Sequence, residues 1–411
     1  MVQQRQHYKY RPQKEYRSGI PWHKKVIQRI EKLNKFLFLR LLGKILRIHP
    51  VEELIPLEKI SSVLIIRYDA LGDMIVTTPL WRILKRYRPS IKIGVAGSFK
   101  NLDILRADPD IDILYDYTAT SLKDFYGISK EVRKQQWDVV LMGNFNQKTR
   151  NSVIARLASP HGITATVGSR NTEGHQALFS RLISLPLPVN EMPMTLQLQF
   201  LLKSVIALSD VEDERPSIII DKEIKSSVRS KISAMLDEMH CAQYLILNTD
   251  APTFKKWTIE NNLALAEFIS GHYPEFGIIV TSLPENGNSI VELLKERHIP
   301  RVQYFSTPDI HTMTALIRYS SLIITPDTSI VHLASAENKP VVAFYLSAGE
   351  WLPYKIDSYV IIPKKGEQIS SIPFGLVKEG VIMMLSEEHK KESPKTRIMR
   401  CDDPANLEIR N

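Results

Sequence analysis

Cysteine is scarce in this 411-residue chain: Cys241 and Cys401 lie far apart and match no metal-ligand spacing. That usage suits a reducing cytoplasm, in which neither thiol need pair. Long apolar runs are also missing. No stretch approaches the ~18 apolar residues that a membrane-spanning helix needs. Phe36–Leu42 is broken by Arg40 and followed by Lys44 and Arg47 rather than by a small-residue cleavage site, which argues against a cleaved export signal. No G-x-G-x-x-G follows a first strand and no G-x-x-x-x-G-K-[ST] occurs, so dinucleotide dehydrogenases and P-loop enzymes are poor candidates. Equally, no G-x-S-x-G elbow, H-E-x-x-H or Cys/His cluster argues for hydrolase or zinc chemistry.

What is present is an ordinary globular composition, 44% hydrophobic and 24% charged, long enough for two domains. Its charge is uneven. Residues 1–50 hold 13 Lys or Arg against Glu15 and Glu31, a surplus of +11 in a chain whose total is +9. The high isoelectric point therefore belongs to an N-terminal extension, and no nucleic-acid-binding motif accompanies it. Residues 1–20 show no apolar period and read as a flexible arm. From Trp22 to Ile48, Val26, Ile27, Ile30, Leu33, Leu37, Leu41 and Ile45 recur at helical spacing, interleaved with Lys and Arg. Such a helix either lies in an anionic headgroup layer, with Trp22, Phe36 and Phe38 as anchors, or packs on the body of the protein.

Beyond Pro56 short apolar strands alternate with helices, the pattern of a parallel sheet covered on both faces. The expected strands are Val63–Arg67, Ile91–Ala96, Ile113–Asp116, Val139–Met142 and Ala165–Val167, then Tyr244–Asn248, Ile278–Thr281, Val302–Phe305, Leu322–Ile324 and Val341–Tyr345. The acidic turn Asp210–Pro216 marks a boundary between two such units. The division reads as an extension at 1–58, Rossmann-like domains at 59–209 and 210–388, and a polar, loosely held tail at 389–411.

Three loops follow strands and should face a cleft at their carboxyl ends. The first is Tyr68-Asp69-Ala70-Leu71-Gly72-Asp73, with a helix reaching Tyr87. Gly72 permits close backbone approach. Asp73, near a helix start that favours its ionised form, is either a general base or a simple cap. Thr78-Pro79 is a second helix-start signal in the same stretch. The next loop, Thr325-Pro326-Asp327-Thr328-Ser329, opens a helix whose free N–H groups could seat a diphosphate, with His332 one turn inside. The remaining loop, Thr249–Trp257, carries Lys255 and Lys256, able to neutralise a leaving anion, with Trp257 expected to pack beneath it.

In order and spacing these segments resemble the lipopolysaccharide heptosyltransferases, glycosyltransferase family 9. The matching residues are Ile65–Asp73 with Thr78-Pro79-Leu80, Lys255-Lys256-Trp257, Asp327-Thr328-Ser329, His332-Leu333-Ala334 and Lys339-Pro340-Val341, with fainter echoes at Trp137–Val140 and Val167-Gly168. The resemblance spans residues 60–385. It implies an α/β GT-B fold, two Rossmann-like doubly wound domains facing a cleft, here preceded by the basic helical extension. It also implies inverting transfer of a sugar, usually from ADP-heptose, to a lipid-linked glycan acceptor on the cytoplasmic face of the inner membrane. Asp73 would be the base, Lys255 and Asp327–Ser329 would hold the diphosphate, His332 would support that seat, and Gly72 and Lys256 would support the cleft loops. No cofactor or metal is implied; Asp110-Ile111-Asp112 has the spacing of a metal motif but precedes a strand. Ser329 stands where the family usually has Gly, and Asp250 would repel a diphosphate unless turned away. Another donor, a protein, O-antigen or capsule acceptor, or a catalytically idle scaffold on the same fold are the alternatives. The anionic membrane surface is the expected partner of residues 22–48, and nucleic acid is not.

Overall fold

The computed structural model describes residues 22–46, 48–118, 122–145, 149–168, 175–208, 211–386 and 394–410. The expected arm at 1–20 lies outside them. Helix α1 (Trp22–Ile45) leads into β1 (Ile55–Pro56) and the first α/β unit. That unit runs β2 (Ser62–Ile66), α2 (Leu71–Ile75), α3 (Pro79–Tyr87), β3 (Lys92–Gly97), β4 (Ile113–Asp116), α4 (Leu122–Gln135), β5 (Val139–Met142), α5 (Thr149–Ala158), β6 (Ile163–Val167), β7 (Arg181–Ile183), α6 (Met194–Lys203) and β8 (Ile206–Ala207). Its main sheet is all-parallel in the order β4-β3-β2-β5-β6-β7, and β8 pairs separately with β1. The first strand at the centre, with neighbours added outward on both sides, is the Rossmann order, and it places the β2 loop at the switch point.

The second unit repeats the plan. It comprises α7 (Lys222–Met239), β9 (Gln243–Asn248), α8 (Ile259–His272), β10 (Phe276–Thr281), α9 (Gly287–Arg297), β11 (Val302–Tyr304), α10 (Ile310–Tyr319), β12 (Leu322–Pro326), α11 (Ser329–Ala336), β13 (Val341–Phe344), β14 (Ser358–Ile362) and α12 (Phe374–Leu385). Strands β9, β12, β13 and β14 are buried along nearly their whole length, as sheets covered on both faces require. The chain then adds β15 (Thr396–Arg400), parallel to β14, and β16 (Asp403–Arg410), antiparallel to β15. For its described part, residues 394–410, this corrects the reading of 389–411 as a loosely held tail. Ile398 is fully buried, and Arg397 on the same strand is buried beside Asp357 at 3.4 Å, so a charged residue that reads as tail is paired inside the fold.

Helix α7 and strand β14 also escaped the strand and helix expectations. Ile224, Val228, Ile232, Leu236 and Met239 do recur at helical spacing in α7, but Lys, Ser and Glu surround them. Of the two alternatives for helix α1, packing on the body is the one these contacts show. Leu39 is fully buried, and Gly43 meets the 175–178 turn so closely that a Cβ there would lie 2.3 Å from the Ala177 carbonyl oxygen. Leu33, Leu37, Phe38, Leu41 and Ile45 point away and are exposed. One buried cluster runs through both units, from Met74 and Leu198 to Ile246, Ile323 and Val331.

Candidate active site

The first loop is held by contacts within its own unit. Arg67, the residue after β2, is almost wholly buried; its guanidinium donates to the Gly143 carbonyl and to the Asp73 carboxylate. Asn101 donates to the carbonyls of Arg67 and Asp69, at 3.0 and 3.3 Å, and Asn144 donates to the Asp69 carboxylate. Instead of one helix to Tyr87 there are two. Ala70 is the extended N-cap of α2, and Asp73 in its first turn accepts the Ala70 N–H at 3.0 Å. Asp73 is thus a cap, and it is also one half of an ion pair facing the second unit. At Thr78 the backbone is already helical. Its hydroxyl donates to the Ile75 carbonyl at 2.8 Å and accepts the Ser217 N–H at 2.9 Å, so it ties α3 to the interdomain segment rather than capping.

In the second unit Thr328, not Asp327, caps α11, its hydroxyl accepting the Ile330 N–H at 3.4 Å. Asp327 instead binds the Lys255 ammonium through its carboxylate and, at 3.3 Å, its carbonyl. Lys256 turns the other way and pairs with Asp250 at 2.5 Å. Asp250 accepts further bonds from the Leu283 N–H at 2.6 Å and the Asn286 amide at 2.8 Å. Burial opposes its charge, but Asn286, Lys256 and the Leu283 N–H outweigh it and hold the carboxyl below its ordinary range. Trp257 is buried beneath the loop, donating to the Ile372 carbonyl at 3.0 Å.

The two halves meet where Gly72 faces His332. A Cβ on Gly72 would stand 2.7 Å from His332 Cδ2, closer than side chains tolerate, so only glycine lets α2 lie on α11. His332 is buried, and that burial pushes its imidazole below the ordinary value. Asp327 and Asp73 raise it, and Lys255 and Arg67 lower it further. Four charged groups drawn from the three loops, Arg67, Asp73, Lys255 and Asp327, therefore act on one buried imidazole. Trp351 closes this cluster from the C-terminal unit: its ring lies 6.0 Å edge-on to His332 and 5.8 Å from the Arg67 guanidinium carbon. Neither Arg67 nor Trp351 figured among the expected site residues. Arg67 carried a faint signal, an arginine ending a wholly apolar strand six residues before Asp73; Trp351 had none.

Beside this junction a cavity of 530 Å³ opens between Leu71, Pro252, Leu283, Met313 and the Thr328–Ile330 helix start. It lies at the carboxyl ends of β9, β10 and β12, where open α/β sheets bind ligands. A larger hollow of 910 Å³ lies at the opposite, amino ends of those strands, around Gln243, Phe276 and Ser321. None of the charged residues of the three loops lines it. Among the described residues no group of three or more His, Cys, Asp or Glu is arranged to hold a metal ion. Asp110 and Asp112 pair with Arg82 and Lys85 and serve the first unit's structure.

Residues 125–364 match the model of glycosyltransferase family 9 (heptosyltransferase). The chain is 21% identical over 308 residues to lipopolysaccharide heptosyltransferase 3 of Escherichia coli, covering 69% of this chain and 83% of that protein. Two solved structures share the fold. The family 9 glycosyltransferase of Veillonella parvula superposes with a TM-score of 0.64 at 17% identity, over 79% of this chain and 97% of that one. The E. coli ADP-heptose heptosyltransferase II superposes at 0.60 and 17%, over 80% and 99%. The architecture is the two-domain GT-B arrangement.

Proposed function

Because the chain belongs to glycosyltransferase family 9, the heptosyltransferase family, we propose that it transfers heptose from ADP-heptose to a lipid-linked oligosaccharide in lipopolysaccharide core assembly. The observation that carries this reading is the Gly72–His332 contact. It brings a carboxylate from one unit beside a cation and a helix start from the other. Asp73 takes the proton of an acceptor hydroxyl; the oxygen attacks the anomeric carbon while the bond to the diphosphate breaks on the opposite face, inverting the configuration. The departing anion gains charge as it leaves. Lys255 and the N–H groups at Thr328–Ser329 neutralise it, the latter strengthened by the dipole of α11.

Within this scheme Asp327 holds Lys255 in place, since a carboxylate by itself repels a diphosphate. Lys256 neutralises Asp250 and so removes the repulsion that Asp250 would otherwise exert. The 530 Å³ cavity suits the nucleoside, with Leu71, Pro252 and Met313 offering apolar contact to a base. ADP-heptose is the donor named for the E. coli heptosyltransferase II, whose fold this chain shares. Acceptor and setting follow from the same reading. A lipid-linked acceptor places the protein at the cytoplasmic face of the inner membrane, with residues 22–48 toward anionic lipid. Among the described residues no helix is long and apolar enough to cross a membrane.

Calorimetric titration of the purified protein with ADP, UDP, GDP and ADP-heptose tests the donor. Selective binding of the adenine species is the expected result. Preference for UDP or GDP transfers the same chemistry to another sugar, and binding of none of them removes the enzyme reading in favour of an idle scaffold.

A further inference from the structure

We infer that α1 is a lipid-docking helix whose outward stripe, Leu33, Leu37, Phe38, Leu41 and Ile45, enters the headgroup region of an anionic bilayer while its inward stripe is bolted to the catalytic body. This deepens the membrane partner proposed above and rests on that reading of residues 22–48.

Two stripes on one helix carry the argument. At 3.6 residues per turn, Leu33, Leu37, Leu41 and Ile45 follow each other along one side, with Phe38 beside them. They are between 54% and 66% exposed. Leu39, Leu42, Gly43 and Leu46 lie on the opposite side, packed with Ile154, Ala155, Ala158 and Leu178. A helix needed only to complete the body would be apolar on that inner side and polar on the outer one. Here the outer side carries five exposed large apolar side chains together in one row rather than scattered singly, and contiguous patches of that kind mark interaction sites.

Charge selects the occupant. Lys35, Arg40 and Lys44 are exposed on the same helix, and Arg40 extends over the Phe36 ring at 5.5 Å from its centroid. From residue 33 to residue 46 there is no acidic side chain, and the first 50 residues carry the +11 surplus. Exposed apolar side chains bordered by cations complement a surface that is apolar within and anionic at its edge, which is a bilayer bearing acidic lipids. A water-soluble protein partner offers no reason for the cations to border every turn. The rigid attachment through Leu39 and Gly43 means that docking would fix the body relative to the membrane rather than tether it loosely.

The test uses the full chain, without substrates, so that it stands apart from the catalytic reading. Cosedimentation is measured with vesicles of phosphatidylcholine alone and of phosphatidylcholine with phosphatidylglycerol. The wild type should bind only the anionic vesicles, and binding should weaken with salt. A Leu37→Asp/Leu41→Asp variant, whose thermal midpoint should match the wild type because both side chains are already in water, should bind about tenfold more weakly or less. Lys44→Glu should also weaken binding, without touching the packed stripe. If the wild type binds neither vesicle, the membrane partner itself fails. Unchanged binding by the double variant overturns the assignment of the stripe and leaves membrane contact elsewhere. A wild type that is dimeric by light scattering, and a double variant that is monomeric, would make the stripe a subunit interface and sink the proposal.

Discussion

Asp73 has both carboxylate oxygens engaged before any substrate arrives, one by the Ala70 N–H and the other by Arg67. Its orientation is therefore set by the fold, and its chemistry can be removed without disturbing its shape. Asp73→Asn should keep the folded structure and donor binding while lowering kcat by on the order of a hundred- to ten-thousandfold. Nucleoside diphosphate titration and turnover measured on the same preparation check it, and retained turnover sinks the base assignment. Arg67→Met leaves that carboxylate without its cation and held only by the Ala70 N–H. We expect kcat to fall roughly a hundredfold with little change in donor affinity, and Arg67→Lys to restore part of it. Lys255→Ala removes the cation nearest the helix start, so ADP affinity should drop about tenfold or more. An unchanged dissociation constant would place Lys255 outside the site.

The contact between α2 and α11 is the element on which the site depends. Gly72→Ala places a methyl 2.7 Å from the His332 ring, which must shift or push the helices apart. Both activity and thermal midpoint should fall; a variant that melts and turns over as the wild type does would mean that α2 and α11 are not in firm contact. The same contact makes stability sensitive to acid. Burial depresses the His332 imidazole, so the folded protein takes up that proton only at a lower pH than the unfolded chain, whose histidine titrates near about 6.5. The stability arising from this difference is complete above that value and is lost as pH falls below it. The melting temperature of the wild type should thus drop more steeply than that of His332→Gln between about pH 7 and 5. Parallel curves would show that the imidazole is not held neutral.

At the scale of the molecule, one buried cluster links both sheets, and Met194 of α6 donates its N–H to the Glu350 carbonyl at 2.7 Å across the junction. Calorimetry should therefore show a single cooperative transition for both units; two resolved transitions would mean that the halves are coupled only weakly. The body also includes part of the extension. Leu39 is fully buried, so Leu39→Ala should cost about 2–5 kcal/mol in denaturant titrations. Removing residues 1–50 should lower the midpoint too, because it uncovers the face against Ile154 and Leu178. Had the extension been only a surface anchor, its loss would leave unfolding unchanged.

The strands and their loops were legible because a strand buried on both faces must be apolar from end to end, and because Gly, Thr-Pro and Asp-Thr signal turns through local sterics and hydrogen bonding. That is why β2, β5, β9 and β12, with Asp73, Lys255, Asp327, Thr328 and His332 beyond them, could be read in one dimension. Contacts between distant segments leave no such mark. Tertiary packing alone decided that Gly72 faces His332, that Lys256 turns to Asp250 while Lys255 turns to Asp327, and that Trp351 closes over Arg67. It also decided that Arg397 is paired inside a sheet and that the regular leucine row of α1 points outward. Hydrophobic periodicity reports that a face is apolar, but which surface covers that face depends on neighbours that the chain brings up from far away.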